Sequence, residues 1–164
     1  MRSLLMKMLM VAVLVAPLGL AACKNGGGSG GGSGLAQPVP IVESVTGTSG
    51  ILDQPGAMLF TSQKDLDAMG ASSIFPGEID FKKYDMVVMA AGEVPTGGYW
   101  VRIKSISQVG DDLYVAGVAN KPGPDDEVTQ MMEFPYQAVL VEKTGAKLAI
   151  ADVTSVTGQS PDLD

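Results

Sequence analysis

Side chains that could carry out chemistry are few in this chain of 164 residues. It contains no histidine, and Cys23 is its only cysteine. A disulfide within the chain is therefore excluded, as are zinc sites of cysteine and histidine and catalysis by serine or cysteine paired with histidine. A Ser-Lys pair is the hydrolase chemistry still open, and no Ser-x-x-Lys occurs in residues 35–164. The residue types thus predict no catalytic site, no metal and no cofactor.

The position of Cys23 gives this cysteine a different chemistry. Basic residues and then an apolar stretch, residues 8–20, precede it. The stretch is too short for a lasting membrane span and is interrupted by a proline. This order is typical of a secretory signal, so we expect residues 1–22 to be removed after export.

Residues 20–23 read Leu-Ala-Ala-Cys and resemble the lipobox of bacterial lipoproteins. The resemblance implies cleavage between Ala22 and Cys23, and a cysteine sulfur that takes up a diacylglyceryl group as the nucleophile. Two or three acyl chains, at about 0.8 kcal/mol per buried methylene group, make such an attachment effectively permanent. The alternative is an ordinary signal with a free cysteine nearby.

The charge of the chain limits its partners. The chain carries 11 basic and 18 acidic side chains, a net charge of −7, and loss of Arg2 and Lys7 with the signal would leave 9 against 18, a net −9. Phosphate backbones and anionic lipids repel an acidic surface. We therefore expect no nucleic-acid partner, and membrane attachment through the lipid on Cys23. No Asp follows this cysteine, which by resemblance to sorting patterns predicts the outer membrane where the cell has one.

The loop of residues 92–98, Gly-Glu-Val-Pro-Thr-Gly-Gly, is the candidate recognition site. Its proline fixes one backbone dihedral, and its paired glycines permit positive φ. A rigid loop that projects from a sheet between neighbouring strands suits the binding of a partner. The alternative is that these residues only form a tight hairpin corner. The candidate partner-binding residues are Glu93, Pro95, Thr96, Gly97, Gly98, Tyr99 and Trp100.

Trp100 and an acidic cluster each admit a structural interpretation. Trp100 shares one side of its strand with Arg102 and Lys104, where it could anchor an interface, stack on these cations or lie under the N-terminal segment. Residues 125–127 are Asp-Asp-Glu and could in principle hold calcium. Consecutive side chains point in different directions, so we predict no metal site there.

Most segments of the domain that carries the 92–98 loop have the sequence pattern of β-strands. Residues 26–34 are Gly and Ser alone, which predicts a flexible spacer before the domain. Pro38–Val45 is bounded by proline, as in edge strands. A short helix is predicted from a capping Ser62 to Gly70, with Leu66 and Met69 on one side. Residues 57–61 are a short apolar run before this helix. Further strands are predicted at 85–91, 99–106, 113–118, 128–134, 136–141 and 147–156.

These elements predict a mostly β fold, an antiparallel sandwich or partial barrel with one short helix. The predicted organisation has four parts. They are a signal peptide at 1–22, a lipidated cysteine and Gly/Ser linker at 23–34, a β-rich domain at 35–158, and a loose tail at 159–164.

Several segments in a fixed order resemble the C-terminal domain of the PrcB family. They are Asp-Phe-Lys-Lys-Tyr at 80–84, Met-Val-Val-Met at 86–89, Gly-Glu-Val-Pro-Thr-Gly-Gly-Tyr at 92–99, Lys-Pro-Gly-Pro at 121–124 and Val-Thr-Gln at 128–130, followed by Pro135-Tyr136 and then Val139 and Lys143. The family is named after lipoprotein subunits that associate with surface protease complexes. The resemblance implies a non-catalytic accessory protein of that kind, anchored in the bacterial cell envelope.

Other functions remain open from the sequence. The loop at 92–98 also looks like the Pro-Thr-Thr-Gly-Tyr loop of chagasin-type cysteine protease inhibitors, but Gly97 stands where the inhibitors have their second threonine. One alternative is therefore a protease inhibitor that acts through this loop, and another is an enzyme of unrecognised type. The favoured hypothesis is a membrane-anchored module that binds another envelope or secreted protein, such as a protease, and has no small-molecule substrate.

Overall fold

The structure is a computed structural model that describes residues 34–48, 50 and 53–160. The predicted signal peptide, cleavage between Ala22 and Cys23, lipidation of Cys23 and most of the Gly/Ser spacer lie outside the described residues, as do residues 161–164. Those assignments therefore stay predictions. In the described residues no helix is long and apolar enough to cross a membrane.

Eight strands and one helix form a sandwich of two sheets in the described residues. In chain order the elements are β1 Gln37–Pro38, β2 Ile41–Gly47, β3 Gly56–Phe60, α1 Gln63–Ala68, β4 Tyr84–Ala90, β5 Trp100–Val109, β6 Asp112–Lys121, β7 Tyr136–Glu142 and β8 Lys147–Thr157. Sheet I has the order β1-β5-β6-β8, and sheet II has the order β2-β7-β4-β3. The predicted sandwich with one short helix is confirmed.

All strand pairs but one are antiparallel among the described strands. The exception is β8, which pairs in parallel with β6 from Asp112–Lys147 to Lys121–Thr157. A parallel neighbour requires the chain to cross over, and here β7 of sheet II lies between the two strands in sequence. The two sheets are thus linked by a chain that repeatedly changes sheet.

The position of β4 between two hydrophobic clusters explains why its sequence is a continuous apolar run. Met86 and Val88 pack with α1 and the segment after it on the outer face of sheet II, in one hydrophobic cluster. Val87 and Met89 face the other way, into a second cluster with β5 and β6 of sheet I. Both faces of this strand are buried, so no polar alternation occurs, as the sequence predicts for a central strand.

The helix begins where predicted. The Ser62 side chain accepts a hydrogen bond from the Asp65 backbone amide at 3.2 Å, and Gly70 has a positive φ of 66° after the helix. Leu66 is buried, whereas Met69 is exposed. Met69 forms the C-cap, where the chain has already left the helix.

Two strand predictions need correction. The edge segment from Pro38 to Val45 is divided, because β1 pairs with β5 in sheet I and β2 pairs with β7 in sheet II. Residues 128–134 are not a strand, and only Glu133 makes an isolated bridge. The backbone of this segment bonds to the 92–98 loop instead of a sheet, for reasons given below.

Candidate docking site

The loop of residues 92–98 carries the chain from one sheet to the other. It follows β4 of sheet II and precedes β5 of sheet I. The prediction that it joins neighbouring strands is therefore wrong, and so is the alternative of a tight hairpin corner. A loop that spans the end of a sandwich needs other partners for its backbone polar groups.

Residues 128–134 supply these partners. Val94 and Glu133 exchange backbone hydrogen bonds, at 2.9 Å from the Val94 amide and 3.0 Å from the Glu133 amide. The Gly97 amide donates to the Thr129 carbonyl at 2.9 Å. We call residues 92–98 and 128–134 together the tip, because these bonds hold the two segments side by side at one end of the sandwich.

Gly97 and Gly98 of the tip are needed for different reasons. Gly98 has a positive φ of 83°, as predicted, a conformation that other residues adopt only with strain. Gly97 does not have a positive φ, so its role is a different one. A Cβ at Gly97 would overlap the Thr129 hydroxyl and approach Oε1 of Glu133 at 3.2 Å, so this glycine permits the close approach of the two segments.

The tip presents an apolar surface that the sequence analysis did not identify. Met131 is 69% exposed and Met132 is 64% exposed, although both are large and apolar. They lie in the turn between Thr129 and Glu133, opposite the exposed Pro95 in the paired loop. Adjacent methionines between polar residues were the signal available in the sequence, but their assignment to a strand implied that one of them was buried.

The remaining predicted residues of the loop differ in accessibility. Glu93 and Gly98 are exposed, Thr96 and Tyr99 are half-buried, and Gly97 is buried. A partner that approaches the tip therefore meets Glu93 and Pro95 from the loop, together with the two methionines. The Pro-Thr-Gly-Gly-Tyr sequence is not uniformly available for contact.

Trp100 is held by contacts within the protein. Its indole nitrogen donates to the Gln159 carbonyl at 3.0 Å, and the Arg102 guanidinium carbon lies 5.8 Å from the ring centroid. Stacking on a cation of its own strand is thus confirmed. The hydrogen bond to the ring comes from a C-terminal residue. The prediction of a loose tail is wrong for Gln159, which is fixed by hydrogen bonds.

Asn120 connects this tail contact to the tip. Its side chain is 3% exposed, its Oδ1 accepts from the Gln159 amide at 3.0 Å, and its Nδ2 donates to the Gly98 carbonyl at 3.5 Å. A cleft of about 640 Å³ lies beside these residues, lined also by Trp100 and Tyr136. A single buried amide therefore positions both the end of the recognition loop and the residues that follow β8.

Among the acidic residues 125–127, Asp126 has a structural role. Oδ2 of Asp126 accepts a hydrogen bond from the Gly123 amide at 2.7 Å, which closes the turn after β6. No cluster of three or more metal-ligating side chains occurs in the part of the chain that the structure describes.

Comparison with protein families identifies one match. The model of the family described as PrcB C-terminal matches residues 86–142, which run from β4 to the end of β7 and include the whole tip. Searches of curated proteins and of solved structures gave no match. The resemblance found in the sequence is thus confirmed for residues 86–142, which are similar to the PrcB C-terminal domain.

Proposed function

We propose that this protein is a lipid-anchored, non-catalytic accessory module of the bacterial cell envelope, and that it binds a secreted or surface protease through the tip. The observation that carries the proposal is the exposed pair Met131 and Met132 beside Pro95, inside the segment that matches the PrcB C-terminal family. Exposed methionines are flexible and polarisable, and they are common on surfaces that bind other proteins.

The rigidity of the tip supports a role in binding. Backbone hydrogen bonds join Val94 to Glu133 and Gly97 to Thr129, so the tip loses little conformational entropy when a partner docks. Glu93 and Gln130 are exposed on the two segments and would supply a polar rim to the apolar centre. This arrangement of an apolar centre and a polar rim is typical of protein interfaces.

The absence of histidine, and of any cysteine after Cys23, supports a role without catalysis. The predicted lipobox at residues 20–23 supports an anchor that would bring the module to the membrane surface. Mass spectrometry of the protein purified from membranes tests the anchor. We expect an N-terminal Cys23 with diacylglyceryl mass added, and Cys23→Ser should release an unmodified protein. An unacylated wild-type N-terminus would contradict the anchor without affecting the proposal for the tip.

Site-specific photo-crosslinking in the full-length protein tests the docking surface. A photoreactive amino acid at Met132 should crosslink to a protein with a protease domain, identified by mass spectrometry. The same amino acid at Met69, which is exposed at the end of α1, is the matched control and should give no such product. Met131→Asp combined with Met132→Asp should abolish binding of the purified protease, whereas Met69→Asp should not.

An inhibitory role is the second hypothesis, because the exposed Pro95 lies in a loop that looks like an inhibitor loop. Titration against cysteine and serine proteases separates it from an accessory role. Slowed turnover that Pro95→Ala with Thr96→Ala abolishes would favour inhibition. Binding without slowed turnover would favour an accessory subunit.

A further inference from the structure

Strand β8 has an open edge in sheet I. It is eleven residues long and pairs with β6 on one side only. The backbone bonds that flank it, from Lys147 to the Asp111 carbonyl and from Gly158 to the Lys121 carbonyl, also lie on the β6 side. Within the described residues, no backbone hydrogen bond reaches the opposite edge of β8. Its donors and acceptors there are available to another extended chain.

The last five residues of β8 do not protect this edge, whereas the first part of the strand carries Lys147, Asp152 and a register shift after Leu148. Proteins usually block exposed edge strands with charged residues, prolines or bulges. Residues 153–157 read Val-Thr-Ser-Val-Thr, which contains neither a charge nor a proline and is rich in β-branched residues. The composition favours strand pairing at this position.

A groove lies beside the same part of the strand. It has a volume of about 540 Å³ and is lined by Val153 and Ser155 of β8, and by Ala90 and Ala91 at the end of β4. Short side chains on both walls leave the space open. The groove could therefore receive alternate side chains of a strand that is added along β8.

The groove is continuous with the tip. Val94 and Tyr99, at the two ends of the recognition loop, also line it. Lys121 is the one charged residue that lines this groove in the described part of the chain. The side chains that fit are thus apolar or small, and an acidic side chain could pair with Lys121.

We propose that the β8 edge binds an extended segment of the protein partner, which adds a strand to sheet I and places small apolar side chains in the groove. This inference rests on the proposed function and extends it to a second contact with the same partner. A second copy of this chain is a poorer occupant, because both copies would carry a net negative charge, −7 for the full sequence and −9 without residues 1–22.

Binding of a synthetic peptide to the full-length protein tests the inference. The probe is an acetylated, fluorescent Thr-Val-Thr-Val-Thr-Glu amide, and the control is the same peptide with its central threonine replaced by proline. We expect amides of residues 151–157 to exchange with deuterium more slowly when the first peptide is bound, and no change with the proline peptide. No binding at about 1 mM peptide, or slowed exchange at another edge instead, would overturn the inference.

A pair of variants on neighbouring residues of β8 sharpens the test. Ser155→Lys puts a charge into the groove, and we expect the peptide to bind about tenfold more weakly or worse. Thr154→Lys is the control, because Thr154 is exposed and does not line the groove, and its affinity should stay within about twofold. Equal affinities for both variants would contradict the proposed mode of binding, as would a wild-type protein that forms dimers lost in Ser155→Lys.

The two proposals can fail separately. If Met131→Asp with Met132→Asp abolishes protease binding and Ser155→Lys leaves it unchanged, the tip binds the partner and the β8 edge does not. If the peptide binds β8 and no protease crosslinks at Met132, the edge is a binding site and the proposed function of the tip is wrong.

Discussion

The ammonium nitrogen of Lys143 lies 3.0 Å from Oδ1 of Asp85, and the Asp85 side chain is completely buried. Oδ2 of Asp85 accepts a hydrogen bond from the Thr144 amide at 3.2 Å. The ammonium group also donates to the carbonyls of Thr61 and Phe81, at 3.1 Å and 3.0 Å. Lys143 thus joins the end of β7 to the start of β4, the end of β3 and the segment before β4.

Replacing Lys143 should destabilise the fold. Lys143→Met leaves the Asp85 carboxylate buried without its cation, which we expect to lower the free energy of unfolding by about 3 kcal/mol. This value is at the low end for buried pairs, because the lysine side chain is 38% exposed. Urea denaturation measures the change. Lys147→Met is the control, since Lys147 and Asp112 are both exposed, and it should cost less than about 0.5 kcal/mol. Equal losses in both variants would contradict this account.

The stability of the C-terminal end of α1 should vary with pH through the carboxyl group of Asp67. Hydrogen bonds from Ser72, at 2.6 Å, and from Gln63, at 2.7 Å, lower the pKa of the Asp67 carboxyl below its ordinary value of 3.8. Because the folded-state pKa is lowered, the stabilisation is fully present above pH 3.8 and is lost as pH falls through the lower folded value. NMR titration of the carboxyl carbon measures the pKa. Ser72→Ala should raise this pKa toward the ordinary value, and an unchanged pKa would contradict the assigned cause.

The sequence predicts features that depend on neighbouring residues. The Ser62 cap, the Gly70 terminus and the apolar run of β4 are local patterns, and the structure confirms each of them. The sheet change at residues 92–98 is not local, because it depends on which sheet each flanking strand joins. The partners of that loop in residues 128–134 are 32 to 39 residues away in the sequence and in no regular element.

Residues 128–134 are the part of the candidate site that the sequence did not predict, and the reason is the same dependence on distant residues. Residues 128–134 have enough apolar residues for a strand, but they join neither sheet and bond to the 92–98 loop instead. Their backbone is satisfied by the loop, which leaves Met131 and Met132 exposed. The parallel pairing of β8 also escaped prediction, since strand direction depends on how the chain crosses between sheets.

Substitution of Gly97 should loosen the tip. In Gly97→Ala the new methyl group overlaps the Thr129 hydroxyl, so the two segments must separate. We expect a loss of about 1–3 kcal/mol in stability and faster amide exchange at Gly97. Combining it with Thr129→Gly removes the overlapping side chain and should restore part of the loss. Gly123→Ala is the control, because a Cβ there has ordinary contacts no closer than 3.4 Å. An unaltered stability in Gly97→Ala would show that the segments are not held together as described.

Removal of the Asn120 side-chain amide should release both the tail and the recognition loop. In Asn120→Leu the Gln159 amide and the Gly98 carbonyl lose their partner, which should cost about 1–3 kcal/mol. Trp100 is the only tryptophan and its indole bonds to Gln159, so its fluorescence should shift to longer wavelength as water reaches the ring. Asn120→Asp is the matched variant, because it keeps the acceptor for Gln159 and removes the donor to Gly98. It should leave the emission of Trp100 near that of the wild type and increase exchange at the loop alone. A red shift of equal size in both variants would show that the tail is not held through Oδ1 of Asn120.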